Sequence, residues 1–344
     1  MHKLSKILFL PTVLLSSCSF LPKINRPTVS NASSVSSKND SSDSSDSSDS
    51  NDSSNYVTPS AGLTLDFENE TATYGFYPQK YVGDNNLIRN LESLAKSETL
   101  SNGWVKFNGS YYAKKTAKPF DYSTLQGQTT RVSCFEDGTE ISKDTDYWFE
   151  CSPIEWLILC VTGDNCLLVS KDCLDVGPFN TNETVPSGFY PNSWEVSYLR
   201  EFLNGEFYHN AFIDKSYLVK TEVDNSASTT QGPTQYAIDT KSSDYVFSLS
   251  YQECVKYFNN QGKSKLAFTT DYNRAMGAWY MYERTGSYEY AADYHLRSPS
   301  SSSSTSSCRV NENGEFWTYN VKDEFGSIRP AITVSTKKII RVPV

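Results

Sequence analysis

From residue 30 to residue 55 the chain offers almost nothing that can be buried. Ser, Asp and Asn fill the stretch, with a Ser-Ser-Asp unit repeating from Ser41 to Asp49. A segment so poor in apolar surface gains too little from burial to offset the entropy of ordering its backbone. It is expected to be disordered and to act as a spacer. Any hydrophobic core must therefore be built by the region from Tyr56 to Val344.

The residues before the spacer are arranged in secretory order. Lys3 and Lys6 precede an apolar run from Ile7 to Leu15, and Ser16, Ser17 and Cys18 come directly after it. A membrane-spanning helix needs about 20 apolar residues. The run is much shorter and Pro11 interrupts it, so it reads as an export signal. The end of this segment, Leu15-Ser16-Ser17-Cys18, resembles the lipobox of bacterial lipoproteins; an ordinary signal peptide with a chance cysteine is the alternative. The resemblance implies cleavage before Cys18 and lipid on its thiol, with a membrane as partner and an address on the outer face of the bacterial cell membrane. The chain then divides into three regions: 1–17 as signal peptide, 18–55 as lipidated cysteine and disordered linker, and 56–344 as an extracellular domain.

Charge narrows what that domain can bind. The first 55 residues carry as many basic as acidic side chains, so the net charge of −9 belongs to the domain. Nucleic-acid binders concentrate positive charge, and no nucleic-acid partner is expected. With Cys18 set aside, seven cysteines remain, at 134, 151, 160, 166, 173, 254 and 308. An odd count leaves at least one unpaired. Buried free thiols are the expected state, and a Cys160–Cys166 bridge across a hairpin is the lesser alternative. No Cys-x-x-Cys occurs, and only His209 and His295 remain after the signal, so no zinc site and no other metal or cofactor is expected.

Catalytic signatures are missing too. There is no Gly-x-Ser-x-Gly, no His-Glu-x-x-His, no phosphate-binding glycine loop and no calcium-type Asp/Asn loop. His209 reads as a packed or surface histidine. His295 is the stronger candidate for a triad, but neighbouring Arg297 opposes its charging and no nucleophile is marked. Paired carboxylates for glycoside hydrolysis meet only in three dimensions and stay open.

Periodicity predicts an α+β domain, rich in strands, with two or three short helices. Trp156 to Val161 and Cys166 to Ser170 form a hairpin pattern. Asn192 with Glu195 reads as a capping box opening a helix that carries Trp194, Leu199, Phe202 and Leu203, and Ser250 with Glu253 as a second, carrying Cys254, Tyr257 and Phe258. Later strands are expected near Phe316 to Val321 and Ala331 to Val334.

A chain of short motifs then resembles domain-of-unknown-function family 6273. They are Tyr74-Gly75-Phe76-Tyr77-Pro78-Gln79, Pro153-Ile154-Glu155-Trp156, Ser193-Trp194-Glu195 with Leu199-Arg200, Phe202-Leu203-Asn204, Phe207-Tyr208, Ala211-Phe212, Val246 to Ser250 with Glu253, His295 to Pro299, and Ile328 to Ala331. Where this chain has His295 the family usually has Trp. The family implies no activity. Its close, Arg297-Ser298 and then Gly326-x-x-Arg329-Pro330, is similar to the closing strands of C-type-lectin-like domains, although the calcium-and-sugar motifs Glu-Pro-Asn, Gln-Pro-Asp and Trp-Asn-Asp are absent.

Trp156 and Trp194 read as core. Arg200 reads as an ion-pair partner of Glu155 or Glu195. Arg297 and Arg329 read foremost as buried ties between loops, with ligand contact as the alternative. Aromatic runs at Trp279-Tyr280-Met281-Tyr282 and Tyr288-Glu289-Tyr290 exceed what loops need and point to stacking on a glycan or a partner protein. The candidate ligand-contacting residues are thus Trp279, Tyr282, Arg297 and Arg329, in a surface module that binds and does not catalyse. The competing readings are a structural or antigenic envelope lipoprotein, in which Ser300 to Ser307 is a variable surface loop, and an enzyme acting on an extracellular polymer.

Overall fold

The computed structural model describes residues 62–124, 131–181, 184–238, 240–259, 265–281 and 290–337. The signal segment, Cys18 and the spacer lie outside the described residues. The first strands are β1 (Thr64–Asp66), β2 (Thr71–Tyr81), β3 (Trp104–Phe107), β4 (Ser110–Thr116), β5 (Asp146–Thr162), β6 (Asn165–Ser170) and β7 (Asp175–Val176). The middle of the chain adds β8 (Leu218–Val219), β9 (Thr221–Asp224), β10 (Lys241–Asp244) and β11 (Val246–Phe247). The last are β12 (Tyr294–Pro299), β13 (Ser306–Val310), β14 (Phe316–Asn320), β15 (Ser327–Ile328) and β16 (Ala331–Ser335). Helical segments are short: α1 (Asn85–Leu94), α2 (Tyr198–Phe202), α3 (Tyr208–Ala211), α4 (Tyr251–Cys254) and α5 (Asp271–Ala275). This β-rich chain with a few short helices fits the expected α+β class.

Among the described residues a nine-stranded sheet runs in the order β1-β2-β5-β6-β16-β11, with β3, β4 and β8 joined at its sides, and a five-stranded sheet runs β14-β13-β12-β15-β7. The long strand β5 organises the larger sheet. Ile154, Trp156 and Ile158 are buried while Glu155 between them is exposed, the period-2 pattern of a strand with one face on the core. The expected hairpin forms: Thr162 faces Asn165, leaving Gly163 and Asp164 as a two-residue turn. Gly163 sits at φ +59°, which a primed hairpin turn asks of its first central residue. Cys160 lies opposite Leu167 and Cys166 opposite Val161, with a register shift before Cys160, so the two thiols are out of register. No disulfide joins any two of the seven cysteines among the described residues, and every one but Cys160 is buried.

Two of the sequence motifs meet across β2 and β5, where Phe76 faces Pro153 and Tyr77 faces Ser152. The ladder shifts register between Thr73 and Phe76, and Gly75 fills the shift at φ +75°. A Cβ there would lie 2.7 Å from the Ala211 carbonyl oxygen, so both the backbone angle and the close approach require glycine.

The two helix starts behave differently. Ser250 and Glu253 form the expected box, with the Ser250 N–H donating to Glu253 Oε2 (2.8 Å) and the Glu253 N–H to Ser250 Oγ (3.1 Å). The box read at Asn192 and Glu195 does not form. Asn192 spends its amide on the carbonyls of Ser303 and Ser306, both at 2.8 Å, and Ser197 caps α2 instead. The tertiary tie takes the side chain that a local cap would need. Beyond α2 the turn widens to a π-helical stretch, Leu203–Phe207, around Asn204, whose Oδ1 accepts the Tyr245 N–H and whose Nδ2 donates to Val246 O. The serine run from Ser300 to Ser307 is only partly a surface loop, since Ser300 and Ser307 are fully buried and its last residues open β13. No described helix is long and apolar enough to cross a membrane.

Candidate functional site

A cleft opens where β2 and β5 meet the segment leading into α5. It has two lobes of about 370 Å³ and about 430 Å³ that share Gln79, Ser152 and Asp172. Glu136, Thr269, Thr270, Arg274 and Tyr290 line the first lobe, Pro153, Glu155 and Leu174 the second.

Asp271 holds the walls together. Its carboxylate accepts the Tyr81 N–H (3.0 Å) and the Glu136 N–H (2.7 Å), and it pairs with Arg274 one helical turn on. Arg274 also donates to the carbonyl and hydroxyl of Thr269, each at 3.1 Å, and its guanidinium lies 4.3 Å from the Tyr290 ring centre. Tyr290 enters in the left-handed region at φ +62°, and its carbonyl accepts the Thr269 N–H (2.9 Å). The buried, ion-paired Arg274 is thus the stem on which the tyrosine ring stands. Gln79 is fixed by donating to Ser152 O at 2.8 Å and more weakly to Pro153 O. Its amide oxygen meets no donor among the described residues.

Asp172 is the unusual group. It lines both lobes, is partly buried, and its carboxylate receives no hydrogen bond among the described residues. Burial pushes its carboxyl above the usual carboxylate range; Lys171 and Arg329 oppose the shift, and Glu155 and Glu136 add to it. A carboxyl raised by desolvation in an open cleft is what binding and catalytic sites share. Nothing in Ser170-Lys171-Asp172-Cys173 marks it in the sequence, because its significance comes from β2, β5 and the α5 approach converging on it. Gln79, by contrast, is visible in the sequence as a motif residue.

The residues singled out from the sequence are dispersed. Tyr290 lines the cleft. Trp279 is half-buried, lies outside the cleft lining and donates its backbone N–H to Phe325 O (3.1 Å). Tyr282 lies outside the described residues, as do Tyr288 and Glu289. Arg297 and Arg329 correct the ligand-contact alternative: each is only 2% exposed. Arg297 grips Glu253 and donates to Ser248 O (3.0 Å) and Asp224 O (3.1 Å). Arg329 donates to Ser170 O (2.9 Å), Tyr294 Oη (3.1 Å), Lys265 O (3.2 Å) and Lys171 O (3.3 Å). Buried guanidiniums keep their charge by such saturation, and saturation leaves no fork for a ligand. Arg329 still serves the cleft, because two of the carbonyls it holds, those of Ser170 and Lys171, immediately precede Asp172.

Trp156 and Trp194 are core, donating to Tyr74 O (2.8 Å) and Asp244 Oδ2 (2.9 Å). Arg200 pairs with neither carboxylate expected of it. Its ion-pair partner is Asp244 (2.8 Å), brought close by β10, and Glu195 contributes only its carbonyl. His209 is exposed on α3. His295 is fully buried against Gly177 O (2.8 Å), and burial together with Arg309 drives its pKa well below the usual imidazole value, so it stays neutral. Among the described residues no three His, Cys, Asp or Glu side chains converge as metal ligands.

The fold and its cleft define a β-rich α+β domain with a polar groove against its larger sheet. By sequence the chain belongs to the family described as Domain of unknown function (DUF6273), matched over residues 163–336. No curated protein and no solved structure matches the chain. The matched region contains the motifs from Ser193 onward, while Tyr74 to Gln79 and Pro153 to Trp156 lie before it. The cleft straddles that boundary: Gln79, Glu136 and Ser152 come from one side, Asp172, Thr269, Arg274 and Tyr290 from the other.

Proposed function

We propose that this chain is an exported lipoprotein, anchored through Cys18, whose cleft binds a neutral glycan without turning it over. The observation carrying the reading is the lining of the two lobes. Gln79 Oε1 and the Asp172 carboxyl are unspent, Ser152 and Thr270 offer hydroxyls, and Tyr290 and Phe268 give the first lobe aromatic wall. A polyhydroxylated ring needs such convergent acceptors beside a ring it can lie against. Glu136 and Asp172 oppose an anionic ligand, while Glu155 is already paired with Lys171 (2.6 Å), which favours neutral sugars over acidic ones. A glycan array probed with the purified protein is expected to return neutral oligosaccharides, and to lose them on Asp172→Ala. A blank array from folded protein refutes the reading.

The anchor is supported by the order of basic, apolar and small residues before Cys18. Radioactive palmitate is expected to label the chain and to miss a Cys18→Ser variant; equal labelling of that variant removes the anchor. A C-type-lectin-like fold is supported by the place of its closing motif, with Arg297-Ser298 on β12 and Gly326 to Pro330 leading through β15 into β16. Since the calcium-and-sugar motifs are absent, glycan binding should survive a chelator.

One observation favours an enzyme as the second reading. A carboxyl with a raised pKa beside other acids resembles the acid partner in glycoside hydrolysis. Hydrolysis of a labelled polymer by the wild-type chain, abolished by Asp172→Asn, would replace binding with catalysis.

A further inference from the structure

We propose a second, independent site that takes a small carboxylate-bearing ligand, in the cavity between α2, α3 and the β9–β10 ribbon. The cavity measures about 500 Å³, and its lining includes Arg200, Asn204, Tyr208, Lys220, Ser243 and Tyr245. Three acids also face it, Glu195, Glu201 and Asp244.

The donors and acceptors here do not cancel. Asp244 is fully buried and already accepts from Trp194 Nε1 (2.9 Å), Ser242 Oγ (2.7 Å) and Arg200 Nε (2.8 Å). Glu195 accepts from Asn225 Nδ2 (3.1 Å) and the Thr240 hydroxyl, both on Oε1. Arg200 uses Nε on Asp244 and Nη1 on Glu195 O (3.1 Å), which locks the guanidinium plane. Its Nη2 has no acceptor among the described residues, and its side chain remains 31% exposed. Lys220 forms no ion pair among the described residues; its ammonium lies 5.9 Å from the Tyr245 ring centre. Tyr245 stacks on Tyr208 with centres 4.9 Å apart and planes 17° apart, giving the cavity a rigid aromatic wall. Two acids oppose an anion here, Glu201 exposed at the edge and Glu195 through its second oxygen, and the ligand's carboxylate has to sit on the Arg200 and Lys220 side of the cavity.

Arg200 Nη2 and Lys220 thus put two open cationic donors on one cavity, the first of them immobilised by its own hydrogen bonds. A carboxylate answers both: one oxygen on Arg200 Nη2, the other toward Lys220, with the ligand body against the tyrosine pair. The recognised group is the carboxylate itself, which an acidic sugar and the end of a peptide both present.

Titration calorimetry of the full chain with glucuronate, N-acetylalanine and glucose tests this. At least one of the two carboxylates is expected to bind where glucose does not, and the one that binds names the source. Lys220→Glu, an exposed substitution that leaves the packing untouched, should weaken that binding about tenfold or more. Asp172→Ala should leave it unchanged, which separates this site from the glycan cleft. Equal binding of glucose, no binding of either carboxylate, indifference to Lys220→Glu, or loss on Asp172→Ala would each overturn the proposal.

Discussion

Gly326 shows why a short motif is built as it is. A Cβ placed there would meet His295 Nε2 at 2.4 Å and Arg309 Cζ at 2.6 Å, both in fully buried side chains. In Gly326-x-x-Arg329-Pro330 the glycine therefore makes room for a buried polar pair, and the arginine ties the carbonyls before Asp172. Gly326→Ala is expected to destabilise the domain by about 3 kcal/mol in urea denaturation, the cost of overpacking a rigid interior. Asp175 and Asp293 make a different prediction. Burial raises both carboxyls to about 6, against hydrogen bonding from Tyr77 to the first and the charge of Arg309 on the second. Between the ordinary carboxylate value and 6 the folded state keeps protons that the unfolded chain has released, so stability falls as pH rises through that window. Glu253 runs the other way: burial opposes its ionisation, but Arg297 and the hydrogen bonds from Ser250 together more than offset it, and its contribution is lost at more acid pH. Neutral, buried His295 also pulls against the two aspartates, because the unfolded chain holds an imidazole proton at pH 5 that the folded chain does not. The contribution of the two aspartates is therefore read as a difference, and Asp293→Asn should lose less melting temperature, or gain more, from pH 5 to pH 7.5 than the wild-type chain. A pH dependence of the melting temperature left unchanged by Asp293→Asn contradicts the assignment.

Elements are legible in the sequence where their signals are local. The β5–β6 hairpin announces itself by alternation and a glycine turn, and Ser250-x-x-Glu253 by a box that closes within one turn. Ser250→Ala should cost about 1 kcal/mol in the same denaturation experiment. Asn192 carries as good a local signal and yields no cap, because Ser303 and Ser306 claim its amide from another part of the chain. Arg200 departs from its expected pairing for the same reason: Asp244 arrives on β10, and spacing along one helix cannot reveal it. Asp172 is the extreme case. A lone acid after a strand looks like a turn residue until three other segments close around it.

At the scale of the whole molecule, one sheet joins the chain before residue 163 to the matched family region after it. Strand β5 lies before the boundary and pairs with β6 beyond it, so the boundary cuts a hairpin. A fragment starting at Gly163 loses the partner of β6, and with Gln79 and Ser152 it loses the wall of the cleft. Such a fragment is expected to expose apolar surface, read as dye binding and the absence of a cooperative melt, while residues 56–344 melt in one transition. The acids lining the cleft and the buried, paired Arg297 and Arg329 suit a cleft that meets its glycan through hydrogen bonds and stacking more than through charge. The most direct measurement of the proposed glycan cleft compares array binding by the wild-type chain with that by Asp172→Ala and Lys220→Glu. Neutral-glycan binding is predicted to be lost in the first variant and kept in the second. Binding that survives Asp172→Ala unchanged would contradict the assignment of the cleft.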